Sequence, residues 1–159
     1  MKVTLQERTA ETVAVYFEKA NTPEIRQVLP QKAKTLEEAL ADYRQTLLPG
    51  ATSYGRTIYV GKQYVGDIWC YCIAPVEEPN AMVSYCIFDK ACWGQGVATE
   101  ALMLFMKEIC EKFHLKSLGA FTYASNLASI RVLEKNGFAY CGTIWVEDGT
   151  PRMAYHKVK

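Results

Sequence analysis

The stretch Phe88-Asp89-Lys90-Ala91-Cys92-Trp93-Gly94-Gln95-Gly96-Val97-Ala98-Thr99-Glu100 decides how this chain folds. Before it, Met82 to Phe88 mixes apolar, β-branched and aromatic residues as a strand does. After it, Ala98, Ala101, Leu102, Phe105, Ile109 and Phe113 recur on one face of a helix. Glu100, Lys107, Glu108, Glu111 and Lys112 take the opposite face. A strand thus passes through a loop with two glycines into the strongest helix of the chain. Such a junction leaves free N–H groups at a helix N-terminus, where the helix dipole favours phosphate. Gly94 and Gly96 have no Cβ to hold a ligand off the backbone. The same residues also fit a glycine-rich turn that only starts a helix.

Working outward, the residues before this stretch read as helices and then strands. Val13, Tyr16, Phe17 and Ala20 form one helical stripe, which Asn21-Thr22-Pro23 interrupts. Thr35 and Glu38 have the spacing of a capping box. Leu36, Ala39, Leu40, Tyr43 and Leu47 carry the second stripe until Pro49-Gly50. Tyr54 to Val60, Tyr64 to Ile73 and Met82 to Phe88 are strand-like, the first two joined by Gly61-Lys62. Their short connections predict antiparallel pairing. Beyond the strong helix, Leu118 to Ala124 reads as a strand. Asn126 opens a helix that ends at Lys135-Asn136-Gly137, with Gly137 suited to the left-handed C′ position. Phe138 to Val146 and Met153 to Val158 are strands around Glu147-Asp148-Gly149-Thr150-Pro151. The expected order is β-α-α-β-β-β-α-β-α-β-β. That is an α/β mixed sheet, part meander and part βαβ crossover, in one domain over residues 1–159.

The totals bound the function. A chain of 159 residues is one domain long, and about 68–70% of the unfolded surface of such a chain can be buried. The formal net charge of +1 argues against nucleic-acid or membrane partners. Met1-Lys2-Val3-Thr4-Leu5 has no apolar core for targeting, and no run of ~20 apolar residues is present. Cys70, Cys72, Cys86, Cys92, Cys110 and Cys141 each sit in an apolar run and read as reduced core residues of a cytoplasmic protein. Cys70 and Cys72 share one face of a strand, the sharpest hint of a metal. His114 and His156 lack metal-ligand spacing to each other or to a cysteine pair, so no metal is expected.

Several phosphate ligands can be compared against the loop. The string Gly-x4-Gly-Lys-Ser/Thr of a nucleotide P-loop is absent. A dinucleotide fingerprint needs a third glycine where Thr99 stands, and an acidic residue after a second strand where Glu111 to Lys116 still close the helix.

Gly94-x-Gly96-x-Ala98-Thr99-Glu100-Ala101-Leu102 resembles motif A of the GNAT superfamily of N-acetyltransferases. Asn126-x-x-Ser129-x-Arg131-Val132-Leu133-Glu134-Lys135-x-Gly137-Phe138 is similar to its motif B. The wording is most like the branch containing ribosomal-protein N-terminal (alanine/serine) acetyltransferases. The element order agrees over nearly the whole chain. The resemblance implies acetyl-CoA as co-substrate and an amine, small molecule or peptide, as acceptor. It implies that the loop Trp93, Gly94, Gln95, Gly96, Val97, Ala98 and Thr99 holds the pyrophosphate. It implies pantetheine along the backbone of Cys86, Ile87 and Phe88, with Asn126 on the pantetheine arm. Ser129 and Arg131 would lie near the thiol and the phosphates. Many members carry Arg or Gln three residues before the first glycine. Here that residue is Ala91, with Lys90 beside it as a compensating charge. The family's proton-donating tyrosine of motif B falls on Leu133.

The catalytic candidates are Ser129, which also suits a polar first helical turn, and Tyr85, which also suits a core. Asp67, Glu77 and Glu78 are the candidate bases, Asp67 being either cleft-facing or solvent-facing. Trp69 and Trp93 are candidates for an acceptor wall. An acyl-CoA-binding sensor without turnover is the alternative reading. The C-terminal strands leave an edge on which a homodimer can form.

Overall fold

The structure is a computed structural model and describes residues 2–29, 33–74, 76–145 and 151–158. Its elements run β1 (Val3–Glu7), α1 (Ala10–Lys19), α2 (Pro23–Val28), α3 (Leu36–Thr46), β2 (Tyr54–Val60), β3 (Gln63–Ala74), β4 (Asn80–Ile87), a 3-10 turn (Lys90–Cys92), α4 (Val97–Phe113), β5 (Ser117–Tyr123), α5 (Leu127–Lys135), β6 (Ala139–Trp145) and β7 (Pro151–Val158). The seven strands form one mixed sheet in the order β1-β2-β3-β4-β5-β7-β6. β1 to β4 are an antiparallel meander, β4 and β5 are parallel across the α4 crossover, and β7 pairs antiparallel with both β5 and β6. The expected fold class is the one observed. The loop at 147–150 and Pro75 lie outside the described residues.

The helical stripes explain the layers. α4 buries Val97, Ala101, Leu102, Phe105 and Ile109 against one face of the sheet, meeting Ile58, Val65, Ile68, Val83 and Leu118. Each such side chain is worth about 1.5–3 kcal/mol when fully buried. α5 adds Leu133 to the same core. The other face carries a smaller cluster of Ala20, Ile25 and Cys86, ringed by Tyr16, Leu29, Trp69 and Phe88.

Three local readings are corrected. Asn21-Thr22-Pro23 interrupts one helix but starts another: Thr22 caps α2 by accepting from the Ile25 amide, and Pro23 takes the first turn, where its missing N–H costs nothing. The α3 stripe is only half-buried and contains no buried residue, because the helix packs on α1 rather than on the sheet. Its capping box is half formed. Thr35 accepts from the Glu38 amide, while the Glu38 carboxylate reaches one residue further back, to the Lys34 amide. None of the six cysteines forms a disulfide, and only Cys70 and Cys86 are buried. Cys72 has φ +53° at an irregularity in the β3–β4 pairing, so it is exposed and does not share the face of Cys70.

Candidate active site

The loop before α4 gathers unsatisfied amides. Asp89 caps the 3-10 turn through the Ala91 amide, and the Trp93 amide donates to the Lys90 carbonyl. Gly94 and Gly96 then take φ +73° and +80°, the left-handed region that favours glycine. A Cβ on either would meet nothing within 4 Å, so it is conformation that calls for glycine there. Gly96 is the N-cap of α4 and supplies no side-chain bond. The amides of Gly94, Gly96, Val97, Ala98 and Thr99 therefore have no acceptor among the described residues. Trp93 folds back and donates its indole Nε1 to the Ile87 carbonyl at 2.7 Å, which fixes the loop to the end of β4.

The sheet opens beside this loop. β4 pairs with β5 only at Asn80–Ser117, Ala81–Leu118 and Met82–Gly119. Both strands then continue, β4 to Ile87 and β5 to Tyr123, without pairing to each other. β3 stays bonded to β4 as far as Ile87, and Gly66 permits the close approach: a Cβ there would lie 2.2 Å from the Cys86 carbonyl oxygen. The Phe88 amide donates to Val65 on the β3 side at 2.9 Å. By ladder alternation, the backbone groups of Tyr85 and Ile87 turn into the opening, whereas those of Cys86 and Phe88 turn to β3.

On the α4 side of the opening, Tyr85 and Ser129 meet. Asn126 caps α5, its side-chain oxygen accepting from the Ser129 amide at 3.2 Å. That cap sets Ser129 in the first turn, with its Oγ 2.9 Å from the Tyr85 hydroxyl. Burial pushes the Tyr85 hydroxyl up to about 12, opposed by the bond to Ser129, so it stays protonated at neutral pH. Leu133 is a core residue, 2% exposed. Arg131 is exposed on α5 and has no ion-pair partner among the described residues. Asn136 joins α5 to the first turn of α4, donating to the carbonyls of Thr99 and Val132 at 3.2 and 3.0 Å.

The opposite side is built differently. Asp67 is neither solvent-facing nor in the open cleft. It is 2% exposed, accepts from the Tyr64 hydroxyl, and faces Arg8 Nε at 3.3 Å without hydrogen-bond alignment. Burial raises its carboxyl to about 6, against the pull of Arg8 and the Tyr64 bond. Tyr16 packs edge-on to Trp69 at 6.1 Å, and burial raises its hydroxyl well above the ordinary range, with Cys86 and Asp67 adding to the rise. Trp69 is thus part of the small core, while Trp93 is exposed and belongs to the loop. Lys90 does not stand free as a compensating charge; it is paired with Glu24 of α2. Glu77 and Glu78 lie beside Lys116, Ser117 and His156 at the closed end of the β4–β5 pair, away from the opening.

Sequence reasoning overlooked Asn136, Gly66 and Arg152. Nothing periodic marks them; their partners are 37 residues away for Asn136 and 29 for Arg152. Among the described residues, no three His, Cys, Asp or Glu side chains cluster as a metal site would require. None of the helices so described is long and apolar enough to cross a membrane.

Comparison with known proteins adds to this geometry. A family model described as acetyltransferase (GNAT) domain matches residues 2–139. No curated protein sequence matches the chain. Among solved structures, aminoglycoside acetyltransferase AAC(6')-Ib in complex with paromomycin and acetyl-CoA superposes with TM-score 0.82 at 19% identity, over 100% of this chain and 94% of that one. RimL, a ribosomal L7/L12 α-N-protein acetyltransferase in complex with coenzyme A, gives 0.84 at 18%, over 99% and 94%. RimJ of Mycobacterium smegmatis, in complex with CoA-disulfide, gives 0.84 at 15%, over 98% and 81%. At these identities the likeness is one of fold.

Proposed function

The chain belongs to the GNAT acetyltransferase family, and from that premise we propose that it transfers an acetyl group from acetyl-CoA to a primary amine, on a small molecule or a protein N-terminus. One observation carries the reading. The strand opening between β4 and β5 runs directly into a helix start whose amides have no partner of their own. Five free amides and the α4 dipole suit a pyrophosphate. Arg131 suits the nearby phosphates. The outward backbone of Tyr85 and the amide of Ile87, whose carbonyl is held by Trp93, suit a pantetheine amide pairing as an added strand.

The reaction needs a neutral amine, which an α-amine (reference pKa ~8) supplies more readily than a lysine-like amine (~10.4). The amine nitrogen attacks the thioester carbonyl carbon. A C–N bond forms, the C–S bond breaks, and the amine gives up one proton to water, which returns a proton to the hydroxyl pair once the thiolate has been protonated. A backbone N–H in the opening stabilises the oxyanion. The departing thiolate takes a proton from the Tyr85–Ser129 hydroxyl pair. Tyr85 suits that role because it remains a donor at neutral pH, and the pair stands in for the tyrosine that Leu133 replaces. Six cysteines outside any disulfide suit the reducing environment of a cytoplasmic setting. The exposed edge strand β6, with Ile144 and Trp145 open on it, supports pairing of two copies, which sedimentation would test.

Calorimetric titration with acetyl-CoA, followed by CoA release across an amine and peptide panel, tests the reading. Binding with turnover is expected. No binding would end it, and binding without turnover on any amine would favour the sensor.

A further inference from the structure

The sheet face opposite α4 is covered on one side of the opening and bare on the other. α1 and α2 cover β3 and β4 through Ala20, Ile25, Cys86 and Trp69. Past the opening, alternation separates two sets of side chains on β5 and β7. Leu118, Ala120 and Tyr155 enter the α4 core. Their neighbours face the other way, in register rows Phe121–Ala154–Gly142 and Tyr123–Arg152–Ile144. Phe121 and Ile144 are 41% and 47% exposed there. Because Met82 is abreast of Gly119, Ser84 and Cys86 come abreast of Phe121 and Tyr123 across the gap, on that same face. An amine that reaches the thioester from this side passes Tyr123 and Arg152.

Arg152 differs from the other half-buried arginines. Arg8 and Arg56 each face a carboxylate, Asp67 at 3.3 Å and Glu108 at 3.0 Å. Arg152 has no carboxylate within 4 Å among the described residues. Its guanidinium carbon lies 5.2 Å from the Tyr123 ring centroid, and its Nη2 donates to the Tyr123 hydroxyl at a long 3.4 Å. Its charge is also felt at Tyr71, whose hydroxyl burial and Cys72 push up and Arg152 pulls back. A guanidinium braced on an aromatic face keeps its charge, and its planar fork of donors suits a carboxylate. Of the carboxylates nearest this face, Asp67 is buried against Arg8 and Glu24 is tied to Lys90.

We propose that Arg152, braced on Tyr123, binds a carboxylate of the acceptor, so that the preferred acceptors are amines carrying a carboxylate close to the reacting nitrogen. This rests on the acetyltransferase reading above. Two sources present that chemistry, a free amino acid and a peptide with an acidic residue next to its N-terminus. A polycationic amino sugar does not.

The test is acceptor selectivity in the CoA-release assay on the full chain. One arm uses tripeptide amides identical except for Glu, Gln or Lys at the second residue. The other compares a free amino acid with its amide. In at least one arm the carboxylate-bearing member should exceed its neutral counterpart by about tenfold or more in kcat/KM, the value of one good hydrogen bond to a charged group. The arm that responds identifies the source. Arg152→Gln should bring that ratio to within about twofold, and Arg152→Lys should keep part of it, because the charge remains and the fork is lost. Acetyl-CoA affinity, measured by calorimetry on each variant, reports that it is folded. Equal kcat/KM for acidic, neutral and basic acceptors, or an Arg152→Gln enzyme that keeps the ratio, would overturn the proposal and leave the acetyltransferase reading standing. Failure of the wild-type chain to bind acetyl-CoA would remove both.

Discussion

The starts of α1 and α4 are opposites. α1 begins with its own chain holding it. Thr9 accepts from the Thr12 amide, Thr12 accepts from the Thr9 amide, Tyr64 donates to the Thr12 carbonyl, and Tyr43 donates to the Arg8 carbonyl. The preceding residue, Arg8, is anchored on Asp67. α2, α3 and α5 are likewise capped, by Thr22, Thr35 and Asn126. α4, the longest helix, begins on a left-handed glycine with no side-chain cap. A helix start without internal partners is a liability unless water or a ligand satisfies it. The contrast teaches where the fold is self-sufficient and where it is made to receive something.

The largest expected effect comes from breaking the receptive start. Gly94→Pro forces φ toward about −65° where the chain needs +73°, and removes one of the open amides. Losing that amide's hydrogen bond and, through the displaced loop, one more to a charged group costs about 3–6 kcal/mol, at least about a hundredfold in acetyl-CoA affinity. Calorimetry measures it. Affinity within threefold of wild type would mean that the loop is a turn and nothing more.

Next comes the self-sufficient start, through Asp67. Its folded carboxyl titrates near 6 instead of 3.8, so the folded chain holds a proton that the unfolded chain releases. A folded value above the unfolded one gives stability that is full below pH 3.8 and is lost as pH rises through 6. The difference is about 3 kcal/mol by linkage. Asp67→Asn cannot titrate. Its urea-unfolding free energy relative to wild type should rise by about that amount between pH 4 and pH 7. Parallel pH profiles for the two proteins would show that Asp67 does not titrate in this window.

The start of α5 lies between these extremes: capped by Asn126, yet presenting Ser129 to Tyr85. Ser129→Ala and Tyr85→Phe should each lower kcat by about a hundredfold, within the range for a lost proton donor. Because the two hydroxyls act together, the double variant should be little worse than either single one. Full additivity would separate them.

These starts also show what a sequence can and cannot display. The α4 stripe and the two glycines were legible because helical period and glycine punctuation are local. So were Asn126 and Ser129, three residues apart on one turn. α2 was not, because Thr22-Pro23 reads as a breaker unless the six residues after it are known to pack. Asp67 was ambiguous because a lone carboxylate in a strand gains its meaning from Arg8 and Tyr64, one of them 59 residues earlier in the chain. The Tyr85–Ser129 pair joins residues 44 apart, and only the divergence of β4 from β5 brings them to one place.

The smallest effect is the most pointed check on the comparison. Thr9→Ala removes the α1 cap and costs about 1 kcal/mol, or about 2–4 °C in Tm for a domain of this size. α1 packs on α3 and on the face away from α4, so the amides of Gly94 to Thr99 do not depend on it. The acetyl-CoA dissociation constant should therefore stay the same while Tm falls. Saturating acetyl-CoA should raise Tm by the same amount in both proteins, since a ligand that binds only the folded state adds a stability set by its concentration and affinity alone. A Thr9→Ala protein with weakened acetyl-CoA binding would mean that the two starts are coupled through the sheet, and that α4 is not satisfied by its ligand alone.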